Sequence, residues 1–343
     1  MSHQPQFDPV VLADYLRTRM PELRGRMALQ RIGGGQSNPT FFVTFENGPR
    51  LVLRKQPPGE LLKSAHAVDR EFRILRALHK TDVPVPYALL YCDDREIIGT
   101  PFYVMERLEG RVMSNYAMPE IDPERRRSYL FALAETLAQL HAVDWASVGL
   151  ADYGKPGNFF ARQIDRWTRQ WQASRTRDNP DIERLIEWLP SHIPPGDETT
   201  IAHGDFRLGN VMFHPTEPRV IAVLDWELST LGHPLADAAY SSLPWLTEPD
   251  VFEGVKGLDL QALQLPAQQE YLAAYLAASG RGDAVCPFHH TFSLFRFAVI
   301  LEGITARAKA GNAVADDAVA VGRLSSRFAR YAVELIAIDK GEQ

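Results

Sequence analysis

The chain has 343 residues, 45% of them hydrophobic and 23% charged, with a formal net charge of −6. That length accommodates two domains or lobes with separate cores, and the acid excess argues against nucleic acid or an anionic membrane as a partner. The two cysteines, Cys92 and Cys286, supply neither a disulfide framework nor a metal spacing, so a reducing cytoplasm is the expected compartment.

An amphipathic start (Val11, Leu12, Tyr15, Leu16) carries no apolar core fit for a signal peptide, and no run of 18 apolar residues follows anywhere. In "LQRIGGGQSNPTFFVTFENGPRLVLRKQPP", β-branched and aromatic runs flank the turn signals "GGGQSNP" and "ENGP". This predicts an antiparallel meander that stops at Pro57–Pro58. The glycine-rich turn exposes backbone N–H groups able to cradle phosphate, making Gly34, Gly35, Gln36, Ser37 and Asn38 candidates for nucleotide contact. It is neither a Walker A motif nor a dinucleotide-binding fingerprint, and a plain hairpin turn would look the same.

The strand "LVLRKQ" carries Arg54 and Lys55, which alternation sends to opposite faces, so only one can serve a phosphate. In "AVDREFRILRALHK", Val68, Phe72, Leu75 and Leu78 recur at helical spacing, and Glu71 falls beside that apolar face. A strand cation paired to a carboxylate on the next helix is how a phosphate-clamping charge is held. The competing reading is two solvated surface charges. "VPVPYALLYCDD" and "PFYVMERLEG" predict two further strands, with a turn at Gly99–Thr100–Pro101 and a change of direction at Gly110.

From about residue 120 the pattern is mostly helical. Leu130, Leu133, Leu137 and Leu140 form one stripe, and the segment 158–189 continues helically with Trp167, Trp171 and Trp188 as core or pocket wall. Helical patterns return at 267–279, 289–308 and 314–338. The organisation is α+β: a β-rich N-terminal lobe over 1–107, a hinge near 106–112, and a helical C-terminal lobe over 108–343.

One stretch interrupts the helices. "IAHGDFRLGNVMFHPTEPRVIAVLDWELS" (201–229) gathers His203, Asp205, Asn210, Asp225 and Glu227 around two short strand-like runs. Buried carboxylates are costly unless paired or metal-bound. A loop aspartate, Asp205, can accept a proton from a substrate hydroxyl while Asn210 and the strand-end Asp225 hold magnesium. Magnesium needs few protein ligands, because it also takes phosphate and water oxygens. Glu227 projects to the same side as Asp225 if the chain stays extended, and could hold a second metal or a ligating water. Any one of these residues alone is better read as a turn or cap; the ordered set is not. Asp237, after Pro234, is expected to be an N-cap or a contact back to the catalytic loop, and His214 and His233 polar surface or loop residues.

These motifs carry a family likeness. "HGDFRLGN" is similar to the His-x-Asp-x-x-x-x-Asn catalytic loop of the aminoglycoside phosphotransferase and choline-kinase-like group, and "VLDWE" stands where protein kinases have Asp-Phe-Gly. The likeness covers roughly residues 25–310. It implies a bilobal protein-kinase-like fold with a small antiparallel-sheet lobe and a larger helical one, acting with ATP (GTP being the alternative) and Mg2+ on a small-molecule hydroxyl. By that resemblance Asp205 is the base, Asn210 and Asp225 the metal ligands, and Glu71 the partner of the phosphate-clamping cation. Arg54 takes that place and Lys55 is the alternative. Met105 to Leu108, including Glu106, would be the hinge strand beside adenine. Within the group, "GGGQSNPTF", "LVLRKQPPG" and "DWELSTLGHPLADAAY" look most like the kinase-like domain that eukaryotes fuse to acyl-CoA dehydrogenases. An acyl-chain or thioester hydroxyl is therefore expected as acceptor ahead of an aminoglycoside. Trp226 and Glu227 in place of Phe-Gly imply a constitutively assembled site; a nucleotide-binding pseudokinase or ligand-binding module is the alternative reading.

Overall fold

The computed structural model describes residues 7–33, 38–59, 67–309 and 318–339. The chain divides into two compact units. The first comprises Met1–Arg111, Val148–Leu150 and Met212–Leu228; the second comprises Val112–Ser147, Ala151–Val211 and Ser229–Gln343.

The first unit opens with helix α1 (Pro9–Arg19), started by Pro9 and by Asp8, whose carboxylate accepts from Val10 N at 2.8 Å. The predicted meander follows as β1 (Arg24–Arg31), β2 (Thr40–Asn47) and β3 (Leu51–Lys55). With β4 (Ala88–Cys92) and β5 (Phe102–Glu106) they form a five-stranded sheet in the order β1-β2-β3-β5-β4, every pairing antiparallel. Alternation along β2 buries Phe41, Val43 and Phe45 against Leu51, Leu53, Phe102 and the Leu12 and Leu16 stripe of α1. Helix α2 (Val68–Leu78) buries Val68, Glu71, Leu75 and Leu78 along one stripe. Where the sequence marks only a turn, one helical turn, α3 (Arg95–Ile98), is capped by Asp94, which accepts from Glu96 N at 2.9 Å.

The β7 (Val211–Phe213) and β8 (Val220–Val223) strands pair as a separate ribbon. Arg111 N donates to Phe213 O at 2.9 Å, and a Cβ on Gly110 would sit 2.4 Å from that carbonyl oxygen. Gly110 is needed for this close approach, and a turn conformation is not what requires it.

The second unit is built from α4 (Pro123–Ala142), α5 (Phe159–Ser174), α6 (Pro180–Trp188), α7 (Pro234–Ser241), α8 (Gln268–Ser279), α9 (Pro287–Lys309) and α10 (Ala318–Asp339). The run expected to be continuous over 158–189 breaks between α5 and α6. Asn179 caps the new helix, accepting from Asp181 N at 3.2 Å, and Pro180 opens it. Two short strands, β6 (Thr200–Ala202) and β9 (Thr230–Gly232), pair antiparallel. Trp171, Ile182, Leu185, Phe292, Phe295 and Phe328 lie at the core, with Trp188 beside them and Trp167 packed partly buried against them. Among the described residues, no helix is long and apolar enough to cross a membrane.

Candidate active site

In the first unit, strand register decides which of two adjacent cations meets the helix. Arg54 pairs with Tyr103 and Lys55 with Phe102 across β3 and β5, so Arg54 and Tyr103 share one sheet face. Both meet Glu71 of α2, which is 1% exposed. Arg54 Nε lies 2.8 Å from Glu71 Oε2, an ion contact that does not align as a hydrogen bond. The Tyr103 hydroxyl donates to the same carboxylate oxygen at 3.0 Å, and Asn38 Nδ2 donates to the other at 2.6 Å. Burial pushes the Glu71 carboxyl above its ordinary value, with Arg54 and its two neutral donors pulling the other way. Burial also works against the Arg54 charge, but Glu71, Tyr103, Asp225 and Glu227 outweigh it and hold the guanidinium protonated.

Arg54 reaches further. Its Nη2 donates to Asp225 Oδ1 at 2.6 Å and lies 3.7 Å from Glu227 Oε2. Asp225 has a left-handed backbone (φ 62°), which aspartate tolerates better than most residues. A short 3-10 turn, Trp226–Leu228, follows it. The extended chain expected from Asp225 to Glu227 is therefore absent; the coil of this turn, and not strand alternation, brings Glu227 toward Arg54. Trp226 is buried and donates from Nε1 to Val223 O at 3.0 Å. Lys55 faces away: its Nζ lies 5.7 Å from the Phe7 ring, and burial lowers its ammonium below the ordinary value.

Glu106 ends β5 with its carboxylate accepting from Tyr87 N at 2.8 Å, and Leu108 is half-buried just beyond. Gly34, Gly35, Gln36 and Ser37 lie outside the described residues.

In the second unit, Asp205 and Asn210 sit in the loop after β6. His203 N and Gly204 N donate to the two carboxylate oxygens of Asp237 at 2.6 and 3.0 Å. Gly204 (φ 83°) also presents its carbonyl to Arg296 Nη2 at 2.6 Å, a turn that disfavours a side chain. Burial alone would raise the Asp237 carboxyl, yet His141 and the loop N–H groups hold it below the usual carboxylate range. His141 itself is lowered, chiefly by burial; its Nδ1 meets Tyr275 OH at 2.8 Å and its Nε2 lies 3.5 Å from Asp237. We read the pair as a neutral imidazole beside an ionised carboxylate. Asp237 thus makes the loop contact and is not the cap of α7. That cap is His233, a loop residue, one of the two positions expected for it, but buried; it accepts from Leu235 N at 3.3 Å.

Asp205 is held on both oxygens. The Tyr240 hydroxyl donates to Oδ1, Arg207 Nε lies 3.5 Å from the same oxygen, and Asn210 Nδ2 donates to Oδ2 at 2.6 Å. Asn210 Nδ2 also donates to Asp205 O at 2.8 Å, so its amide nitrogen is committed and its oxygen is the atom left for a cation. Sequence reasoning missed Tyr240, Arg207 and Arg296. Arg207 stood within the quoted motif, but no spacing rule singles out any of the three.

One unit thus brings together Asn38, Arg54, Glu71, Asp225 and Glu227, and the other Asp205 and Asn210. Among the described residues, no three His, Cys, Asp or Glu side chains gather to hold a metal. In the first unit the candidate oxygen ligands are Asp225 Oδ2 and Glu227, and in the second the Asn210 amide oxygen. Hard oxygens of this kind suit magnesium, which is ordinarily bound by one or two carboxylates plus substrate phosphate.

The model of the phosphotransferase enzyme family, APH, matches residues 28–289, a span that holds both clusters. The chain belongs to this family. It is 42% identical over 315 residues to acyl-CoA dehydrogenase family member 10 of Mus musculus, covering 90% of this chain and 29% of that protein. It is 40% identical over 347 residues to acyl-CoA dehydrogenase family member 11 of Gallus gallus, covering 97% and 44%. The chain therefore spans less than half the length of these relatives. Among solved structures, a provisionally named aminoglycoside phosphotransferase of Ralstonia eutropha JMP134 superposes with a TM-score of 0.87 at 41% identity, covering 96% of this chain and 98% of that one. A thermostable mutant of aminoglycoside phosphotransferase APH(4)-Ia, in complex with AMP-PNP and hygromycin B, shares the fold at a TM-score of 0.61 and 15% identity, covering 93% and 98%. The family resemblance and the α+β kinase-like fold expected from the motifs are both borne out.

Proposed function

We propose that the chain is an ATP- and magnesium-dependent O-phosphotransferase for a small-molecule hydroxyl, carried on an acyl chain or acyl thioester and not on an aminoglycoside. The observation that carries this reading is Arg54, fixed between buried Glu71 and Asp225 and kept charged by them. A preoriented guanidinium suits the charge that gathers on a transferring phosphoryl group. In this reading Arg54 meets the nucleotide phosphates, with Asn38 and the glycine-rich turn assisting, and the backbone from Glu106 to Leu108 meets the base. Lys55 takes no part.

Asp205 orients the acceptor hydroxyl and takes its proton. The hydroxyl oxygen bonds to the γ-phosphorus as the bond from that phosphorus to the bridging oxygen breaks, and ADP leaves. Asn210 and Asp225, helped by Glu227, would hold the magnesium, which when bound neutralises phosphate charge; their pairing on one metal rests on the likeness of their motifs. The acyl acceptor is supported by the names of the curated relatives, of which this chain matches only a part.

Coupled measurement of ADP release against hydroxyacyl, aminoglycoside and amino-alcohol panels tests the reading. Asp205→Ala should lower turnover roughly a hundredfold or more while nucleotide affinity stays near native. Unchanged turnover with a validated acceptor would remove Asp205 as the base. Nucleotide binding without transfer to any acceptor would favour a pseudokinase.

A further inference from the structure

In the second unit, arginines gather beside the Asp205 loop and the neighbouring Trp167. Arg207 lies 3.5 Å from Asp205 Oδ1. Arg296 of α9 donates to Gly204 O at 2.6 Å, and its guanidinium carbon is 5.8 Å from the ring of Tyr240, the residue that donates to Asp205. The same guanidinium lies 5.7 Å from the Trp167 ring. Arg166 of α5 lies 5.2 Å from that ring as well.

Two guanidinium groups therefore share one indole. Arg207 is matched by Asp205, but neither Arg166 nor Arg296 is paired with a carboxylate among the described residues. Partial desolvation, and then the Arg296 charge, lower Arg166 from its ordinary value. Arg166 is exposed and Arg296 half-buried, yet both guanidinium groups lie over the same indole despite their like charge, an arrangement that cation–π attraction favours. Such a pair is relieved by an anion that takes hydrogen bonds from both, and guanidinium groups match carboxylate and phosphate oxygens in geometry. A polycationic acceptor would add to the repulsion.

We propose that Arg166 and Arg296 bind an anionic group of the acceptor, a carboxylate or a phosphate, so that this chain phosphorylates a negatively charged alcohol. This rests on the phosphotransfer reading. It makes the arginine pair a specificity device that selects the acceptor by charge, with the hydroxyl at Asp205 and the anion toward Trp167.

The test uses the full chain and three small probes: glycolate, glycerol 3-phosphate and ethanolamine. Calorimetry follows their binding, and ADP release their turnover, for the native chain, Arg166→Gln and Arg166→Lys. The anions should bind at least about tenfold more tightly than ethanolamine, and Arg166→Gln should erase about tenfold of that, the scale of one charged hydrogen bond. Arg166→Lys should recover part of it. In turnover the loss should fall on the acceptor KM, with kcat and the ATP KM unchanged. Preference between glycolate and glycerol 3-phosphate identifies the anion as carboxylate or phosphate. Ethanolamine binding as well as the anions, no anion binding to the native chain, or anion affinity unmoved by Arg166→Gln would each overturn the proposal. Anion binding that depends on Arg166 without transfer to any alcohol would leave the anion site standing and remove the phosphotransfer reading instead.

Discussion

Removing Arg54 leaves Glu71 buried at 1% exposure with only the neutral donors Tyr103 and Asn38. An uncompensated buried carboxylate takes a proton or destabilises its surroundings. Arg54→Ala and Glu71→Ala should therefore be strongly non-additive in ATP-dependent turnover and stability. Residues in contact couple by about 0.5 to 3 kcal/mol, and separated ones add. Lys55→Ala should weaken ATP use only mildly and show no coupling to Glu71→Ala, since its ammonium packs toward Phe7. Coupling to Lys55 and not to Arg54 in a double-mutant cycle would reverse the assignment. The sequence alone narrowed the choice to one of two neighbours, because alternation separates them but cannot say which face meets the helix. The pairing of Arg54 with Tyr103 and of Lys55 with Phe102 carries that information, and it depends on β5, a strand some fifty residues away in the chain.

Helix α7 shows why part of the site was illegible at the scale of elements. Every residue from Pro234 to Ser241 is buried, so no apolar stripe distinguishes a working face. From spacing, Asp237 could have been a cap or a loop contact, and only the fold places it on the N–H groups of His203 and Gly204. The short strands β6 and β9 were missed because three residues each are too few to show a period. Likewise the break between α5 and α6 hid inside a continuing apolar pattern. Asp237 has a folded-state pKa depressed below the unfolded value, so its stabilisation is fully present above the unfolded carboxylate pKa. It is lost as pH falls through the lower, folded value. Asp237→Ala should cost about 3 kcal/mol, the scale of breaking a buried charged network, and also lower kcat by loosening the Asp205 loop. Denaturant unfolding from neutral pH into the acid range measures both size and sign. A native protein whose acid loss is matched by the variant's would exclude Asp237 as its source.

At the scale of the whole molecule the two clusters belong to different compact units, and residues 212–228 of the first follow directly on the loop of the second in the chain. Composition and helical periodicity read the β-rich and helical portions correctly, but they could not reveal that a late ribbon returns to the first unit, because β7 and β8 pair locally and look like any hairpin. Under the proposed function, nucleotide binding falls to the first cluster and proton transfer to the second, a split that stability can report. A ligand that binds only the native state stabilises it by about 2.7 kcal/mol at a hundred times its dissociation constant. ATP with magnesium should then raise the thermal midpoint of the native chain by a few degrees. Asp205→Ala should keep that rise, since the base is not needed to bind nucleotide. Arg54→Ala should lose most of it, measured against its own nucleotide-free midpoint so that any intrinsic loss of stability cancels. Scanning calorimetry with and without nucleotide on all three proteins is the measurement. A rise that survives Arg54→Ala but vanishes in Asp205→Ala would reverse the proposed division of labour, placing the phosphates on the catalytic loop and leaving Arg54 to hold the fold.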